Sequence, residues 1–383
     1  NNGGSNCYII SIGQYEEDPG NLKINFDQFK KAIDVLNTEE APTILLMPDS
    51  LLLDEDEGYY TAQTYALTHC AKKMDKIALF DIYGGDKDRS SVDDNKHIVK
   101  FRENIGLENL SYGACYYPWV KTNIVTQSNI DYKFINLELI KPIIEEKFAP
   151  ILDNLIKGSD EKEKEYWDKS LNSCKEYKSI KKIIADKLSV LPVTPAIAGL
   201  YTRVDSTQGV WIAPANKNLN SVIEPTIKIT NKEQENLNVD ATSGKSINAI
   251  RSFRGIGSAI VWGERTLDGN SPEWRYINVK RLFILIEQSI KKAAFKVVFK
   301  PNVPLTWSIV KASINNFLTN LWRRGALEGA TPAEAFSVYC GLGETMDQND
   351  INEGIMRIQV AAAPSRPAEF IIISFEQKMR GGK

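Results

Sequence analysis

Two apolar stripes late in the chain constrain its fold more than any other feature. Val279, Leu282, Phe283, Ile286 and Ile290 recur at the spacing that puts them on one face of a helix. Trp307, Val310, Ile314, Phe317, Leu318 and Leu321 form a second stripe. Gly325, just past the basic pair Arg323–Arg324, reads as a C-terminal stop. Between the stripes the β-branched run Lys296-Val297-Val298-Phe299, closed by Pro301, predicts a strand. Met356–Ala363 and Glu369–Phe375 predict two more. The segment Pro364-Ser365-Arg366-Pro367 between them is too extended and proline-rich for a tight hairpin. Two long helices on a small sheet, an α+β domain, is the arrangement this pattern asks for.

The first half alternates instead. Cys7–Ile12, Thr43–Met47, Lys76–Tyr83 and Tyr112–Val120 read as strands, and Phe26–Leu36, Glu57–Met74 and Val92–Asn104 as helices. Such alternation predicts an α/β sheet covered on both faces. Beyond Ile135 the character changes. Leu139–Ile156 is apolar-periodic, the mixed-charge run Lys157–Glu165 follows, and helical periodicity then continues to Leu188. Leu191-Pro192-Val193-Thr194-Pro195-Ala196 is a hinge candidate, because each proline restricts the residue before it. The chain therefore reads as an α/β domain over 1–134, a helical insertion over 135–191 and a C-terminal half over 192–383. A terminal strand at 368–376 is available for pairing elsewhere.

Catalytic chemistry is hard to find. The histidines are His69 and His97, with no second ligand at a helical offset, and the five cysteines are scattered without a C-x-x-C pair. The turn after the first predicted strand lacks the glycine pattern of dinucleotide-binding folds. Thr242-Ser243-Gly244-Lys245-Ser246 ends like a phosphate-binding loop, but Val239 stands where the leading glycine belongs, so a polar turn is expected. Asp49 and Asp81 fall at strand ends, where loop starters and helix caps explain them equally well. No metal, cofactor or enzymatic activity is expected. An α/β enzyme of unknown substrate remains the alternative on fold class alone. No apolar run reaches membrane-spanning length.

Several blocks resemble a known family. WGERTL at Trp262–Leu267, PEWRYINVKRLF at Pro272–Phe283, and LTNLWRRGALEGATPAEAF at Leu318–Phe336 look like the C-terminal domain of contractile tail sheath proteins. Those proteins form the outer tube of contractile phages, R-type pyocins and extracellular contractile injection systems. The resemblance extends upstream through Ala196–Asp205 and Gly209–Asn216, so it covers about half the chain. It departs at Gln208 and Ile212, where the family pattern usually has a basic residue. The family also carries an N-terminal arm ahead of its first strand; this sequence begins almost at that strand, so the arm is expected to lie outside the numbered residues.

What the resemblance implies is a structural subunit that polymerises helically around an inner tube and contracts to drive it through a target envelope. The implied partners are other copies of the chain, the inner tube protein, and baseplate and tail terminator proteins, with neither nucleic acid nor direct membrane insertion. The implied location is a phage tail or phage-tail-like particle assembled in the bacterial cytoplasm. Charge patterning suggests where contacts fall. Nine basic residues stand against Glu287 alone between Val279 and Arg324, in a chain whose net charge is −2. Gly325–Gly354 then carries six acids and no Lys or Arg. Adjacent blocks of opposite sign suit docking to a neighbour or an acidic tube. Lys291, Lys292, Lys296, Arg323 and Arg324 are the candidate contacts. A nucleic-acid adaptor using the 279–324 block is the competing reading, disfavoured by the lack of basic–aromatic interleaving. In the family, terminal segments add strands to neighbouring sheets, which makes Phe370, Ile371, Ile372, Ile373, Ser374 and Phe375 the candidate donated strand.

Overall fold

The computed structural model of the chain describes residues 2–13, 24–87 and 96–369. It divides into two compact units, one of residues 1–203 and 214–270, the other of 204–213 and 271–383.

The first unit is built on a six-stranded sheet. Its strands are β1 (Ile44–Leu46), β2 (Ile77–Asp81), β3 (Gly113–Tyr117), β6 (Lys217–Asn218), β8 (Asn248–Phe253) and β9 (Gly257–Trp262), in the order β1-β2-β3-β8-β9-β6. The first four neighbours run parallel, and β8–β9 and β9–β6 are antiparallel. Every residue of β2 and β3 is buried, as parallel strands covered on both faces require. Ala78, Phe80, Cys115 and Tyr117 join the core formed with α1 (Phe26–Val35), α2 (Tyr60–Lys73) and α3 (Lys96–Asn104). Tyr116 instead meets Tyr201, hydroxyl to hydroxyl at 2.5 Å. A smaller antiparallel sheet places β4 (Val120–Thr122) between β5 (Val190–Leu191) and β7 (Val222–Pro225).

The helical stretch comprises α4 (Leu137–Ile140), α5 (Ala149–Lys157), α6 (Glu161–Leu171) and α7 (Lys175–Leu188), packed around Leu152, Leu155, Leu171 and Tyr177 as a core of its own. Its mixed charges are mostly solvated, but two turn inward. Asp168 accepts from the Tyr177 hydroxyl at 2.5 Å and lies 3.5 Å from the buried Lys181 ammonium. The two-proline segment enters α8 (Thr194–Thr207), with Pro195 in the first turn, where a missing N–H costs nothing. α9 (Asn231–Asn238) begins with a capping box between Thr230 and Glu233. Residues 214–270, grouped by sequence with the C-terminal half, belong to the first unit because β8 pairs with β3.

In the second unit the two stripes form α10 (Ile277–Phe295) and α11 (Pro304–Arg323). They meet through Leu282, Ile286, Val310, Ile314, Leu318 and Leu321. Phe317 is half-buried at the edge of this core rather than within it. α12 (Pro332–Ala335), β10 (Phe336–Tyr339), α13 (Gln348–Asn352) and β11 (Gln359–Ala362) complete the unit, with β10 and β11 antiparallel. The mixed α/β class, with a helical elaboration and two long helices beside a small sheet, is therefore present. Among the described residues, no helix is long and apolar enough to cross a membrane.

Two of the predicted strands are not strands. Cys7–Ile12 pairs with nothing among the described residues, and Tyr8 and Ile9 are exposed. The chain ahead of it is anchored at Asn2, which donates to the Asn220 carbonyl at 2.9 Å and accepts from the Asn220 N–H at 2.6 Å. Lys296–Phe299 is a turn that unwinds the end of α10, since no strand among the described residues offers it a ladder. Val210–Ile212 is also a turn, closed by Ile212 N–H to the Gly209 carbonyl at 3.1 Å. The candidate strand from Phe370 onward lies outside the described residues.

Candidate assembly interface

The basic block separates into parts with different jobs. Arg281 is buried on α10, and its guanidinium grips the Asp205 carboxylate with both arms, at 2.9 and 2.5 Å. Lys280 is also buried, its ammonium 4.4 Å from the centroid of the Trp274 ring. Lys311 pairs with Glu344 at 3.3 Å. These three serve the unit's interior or its own surface. Sequence could not separate them from the rest, because a run of lysines and arginines does not state which way each points.

The remaining six are exposed: Lys291, Lys292, Lys296, Lys300, Arg323 and Arg324. They fall at the C-terminal ends of α10 and α11, where cations complement the helix dipole. Lys291, Lys292 and Lys296 cluster at the end of α10. Arg323 and Arg324 end α11, and the Arg324 guanidinium lies 4.6 Å from the centroid of Trp211. Sequence reasoning missed the apolar surface among the lysines: Phe295, Val298, Phe299, Leu305 and Ile309 are all exposed around the α10–α11 turn. Reading 296–299 as a strand hid it.

On the acidic side, Asp347 caps α13 by accepting from the Asp350 N–H at 2.9 Å, while Asp350 takes the Arg357 guanidinium at 2.8 Å. The Arg357 contact and the capping hydrogen bonds hold the Asp350 carboxyl below the usual range, against a weaker opposing effect of burial. These groups rim an open cleft of about 860 Å³ whose apolar lining is Met346, Met356 and Ile358.

The outer edges of β10 and β11 pair with no other strand among the described residues. The chain leaves β11 along its own unit. Glu328 N–H donates to the Ala363 carbonyl at 2.9 Å, Ser365 N–H to the Ala326 carbonyl at 3.1 Å, and Tyr276 hydroxyl to Glu369 at 3.0 Å. The proline linker is thus tied to its own unit up to Glu369, and Phe370–Phe375 follow outside the described residues.

The positions singled out for chemistry are used structurally. The Lys245 ammonium donates to the Arg102 carbonyl and is buried, not offered to a phosphate. Asp81 is consumed by the start of α8, accepting from the N–H groups of Val193 and Thr194 at 2.7 and 3.2 Å. His97 lies 3.8 Å from Glu55. His69 is buried elsewhere, and burial, with Lys76 nearby, pushes its pKa down. Among the described residues, no group of three His, Cys, Asp or Glu could hold a metal ion.

The family model for the phage tail sheath C-terminal domain matches residues 270–378, nearly the span of the second unit's main segment. The tail sheath protein of Vibrio phage KVP40 is 28% identical over 197 residues, and that of Enterobacteria phage T4 is 24% identical over 186. These alignments take in about half of this chain and span 27% of each phage protein's own length. Among solved structures, the helical sheath of the anti-feeding prophage in its contracted state is 30% identical, covering 98% of this chain and 79% of its own, with a TM-score of 0.62. The contracted sheath complex of the PVC extracellular contractile injection system is 27% identical over 91% of this chain and 75% of its own, at 0.64. Motifs, fold and near full-length similarity agree, and the chain belongs to the contractile tail sheath family.

Proposed function

We propose that this protein is a structural, non-enzymatic subunit of a contractile sheath in a phage tail or phage-tail-like particle. Copies polymerise helically around an inner tube, and contraction drives that tube through a target envelope. The observation that carries this reading is the likeness over 98% of the chain to a sheath in its contracted state. The similar anti-feeding prophage baseplate structure supports baseplate proteins as further partners, and a tail terminator would close the far end. Assembly takes place in the bacterial cytoplasm.

The work of contraction comes from the free-energy difference between two packings of the same subunits, each state favoured by different contacts. The open edges of β10 and β11 suit acceptance of a neighbour's strand, and Phe370, Ile371, Ile372, Ile373, Ser374 and Phe375 are the segment this chain offers in return. Main-chain hydrogen bonds of that kind keep subunits linked while they move. Lys291, Lys292, Lys296, Arg323 and Arg324 contact the tube or a neighbour. Replacing Lys291 and Lys292 by Glu should weaken sheathing of tubes, and the wild-type interaction should itself weaken with salt. Normal sheathing by that variant at low and high salt would remove the two lysines from the interface.

Electron microscopy of the purified full-length protein, with and without tubes, tests the reading as a whole. Striated or contracted tubes are the expected product. Particles that stay monomeric under all assembly conditions would reject it.

A further inference from the structure

The turn between α10 and α11 exposes apolar surface that does nothing for its own subunit. Phe299 is fully exposed, and its φ of +67° puts a bulky residue in the left-handed region. Both features cost the isolated chain stability without a packing return. Phe295 and Leu305, close to it in the chain, are 78% and 72% exposed. Lys291, Lys292, Lys296 and Lys300, on the end of α10 and the turn after it, are exposed on the same stretch of chain as this knob.

The knob is nevertheless held firmly. Lys300 N–H donates to the Val297 carbonyl at 3.0 Å. Asn302 donates to the Ile355 carbonyl at 3.0 Å and accepts from the indole of the buried Trp307 at 2.6 Å. A surface fixed in this way loses little freedom on docking.

Its complement is on the same chain. The open cleft has Met346, Met356 and Ile358 for an apolar lining and carboxylates on its rim. Glu344 is occupied by Lys311 and Asp350 by Arg357. Asp347, in the cleft lining, and Glu353, just outside it at the end of α13, are exposed and within ion-pair distance of no cation among the described residues, although both act on nearby Arg357. A knob that carries lysines fits a cleft where Glu344, Asp347 and Asp350 stand around Met346, Met356 and Ile358, chiefly through charge.

We infer that the Phe299 knob of one copy seats in the Met346–Ile358 cleft of a second copy, with Lys296 and Lys300 facing Asp347 and Glu353. The inference rests on the self-assembling role proposed above and names two faces that meet. A second copy is favoured over another acidic partner because this chain itself supplies both halves.

The test uses the full-length protein and reads assembly by sedimentation and electron microscopy. Phe299→Gly relieves the backbone strain, so its melting temperature should equal or exceed the wild type's. The concentration needed for half-assembly should nevertheless rise about tenfold or more, roughly 1.4 kcal/mol per tenfold. Lys300→Glu and Glu353→Lys should each weaken assembly, and the two combined in one chain should restore it. In a Cys7→Ser background, Phe299→Cys with Gln359→Cys, an exposed residue of the cleft lining, should give a ladder of covalent oligomers on oxidation. Assembly of Phe299→Gly at wild-type concentration, a double charge swap no better than the singles, or cross-linking only to tube protein would each overturn the inference. If the wild type forms no polymer, the sheath reading falls and this inference with it. If the wild type polymerises and the variants match it, only the docking assignment falls.

Discussion

Asp205 and Arg281 stand 76 residues apart and meet in a two-armed ion pair, with Nη1 to Oδ1 at 2.9 Å and Nη2 to Oδ2 at 2.5 Å. Each lies in one of the sequence blocks that resemble sheath proteins, so those blocks touch inside the second unit. The Arg281 side chain is 5% exposed and that of Asp205 28%. A planar guanidinium matches a carboxylate in this geometry where a lysine could not.

Breaking the pair from one side should therefore be costly. Arg281→Ala leaves a partly buried carboxylate without its cation and should destabilise the unit by about 3 kcal/mol, the lower end for a broken buried pair. Asp205→Leu combined with Arg281→Met should cost less than the two single changes added together. Urea unfolding of the four proteins in the cycle measures this. Additive costs would mean that the pair contributes no coupling.

Asp81 links the end of β2 to the start of α8, and burial raises its carboxyl to a pKa of about 6, although the hydroxyl and N–H of Thr194 and the N–H of Val193 pull the other way. The native state therefore binds this proton more tightly than the unfolded chain, whose aspartate titrates near 4 (about 3.9). The stability this group contributes is fully present below about pH 4 and is lost as pH rises through about 6. Asp81→Asn cannot titrate. The wild type's stability relative to Asp81→Asn should accordingly fall by roughly 2 kcal/mol between pH 4 and pH 7, at 1.36 kcal/mol per pKa unit. A flat difference across that range would show that the carboxyl keeps its ordinary pKa.

Leu318 is completely buried where α11 packs on α10, and Phe317 beside it is half-exposed. Leu318→Ala should cost about 2–5 kcal/mol through lost transfer energy and the cavity left behind. Phe317→Ala should cost clearly less, because solvent already reaches that ring. Thermal melts that rank the two in the opposite order would place Phe317 in the core.

Periodicity made α10, α11 and the parallel strands legible, since a helix stripe or a continuous apolar strand records its burial in the order of residues. Phe317 shows the limit: adjacent positions on a stripe differ in depth by an angle that spacing alone does not resolve. The turn at Lys296–Phe299 failed differently. Val297 and Val298 favour strands, but a strand needs an edge to pair with, and that depends on tertiary placement. Charge was the least legible. Lys280 and Arg281 read as part of a basic surface until Trp274, nearby in the chain, and Asp205, distant in it, were seen to hold them inside.

The C-terminal segment supplies the last prediction. Phe370-Ile371-Ile372-Ile373-Ser374-Phe375 is an apolar, β-branched run, and such a run left without a partner invites aggregation. Up to Glu369 the chain is bonded to its own unit, with Tyr276 as the final contact. A deletion starting at Phe370 therefore keeps every described hydrogen bond of β10, β11 and the linker. If the run serves a neighbouring subunit, the truncated protein should melt at the wild-type temperature and form no sheaths. If it belongs to its own core, the melting temperature should drop by several degrees, about 2–4 °C for each kcal/mol lost in a unit of 150–250 residues and more in a smaller one. Differential scanning calorimetry and electron microscopy on the same preparation separate the two. Sheaths that assemble and contract without the segment would end the case for strand donation from this terminus.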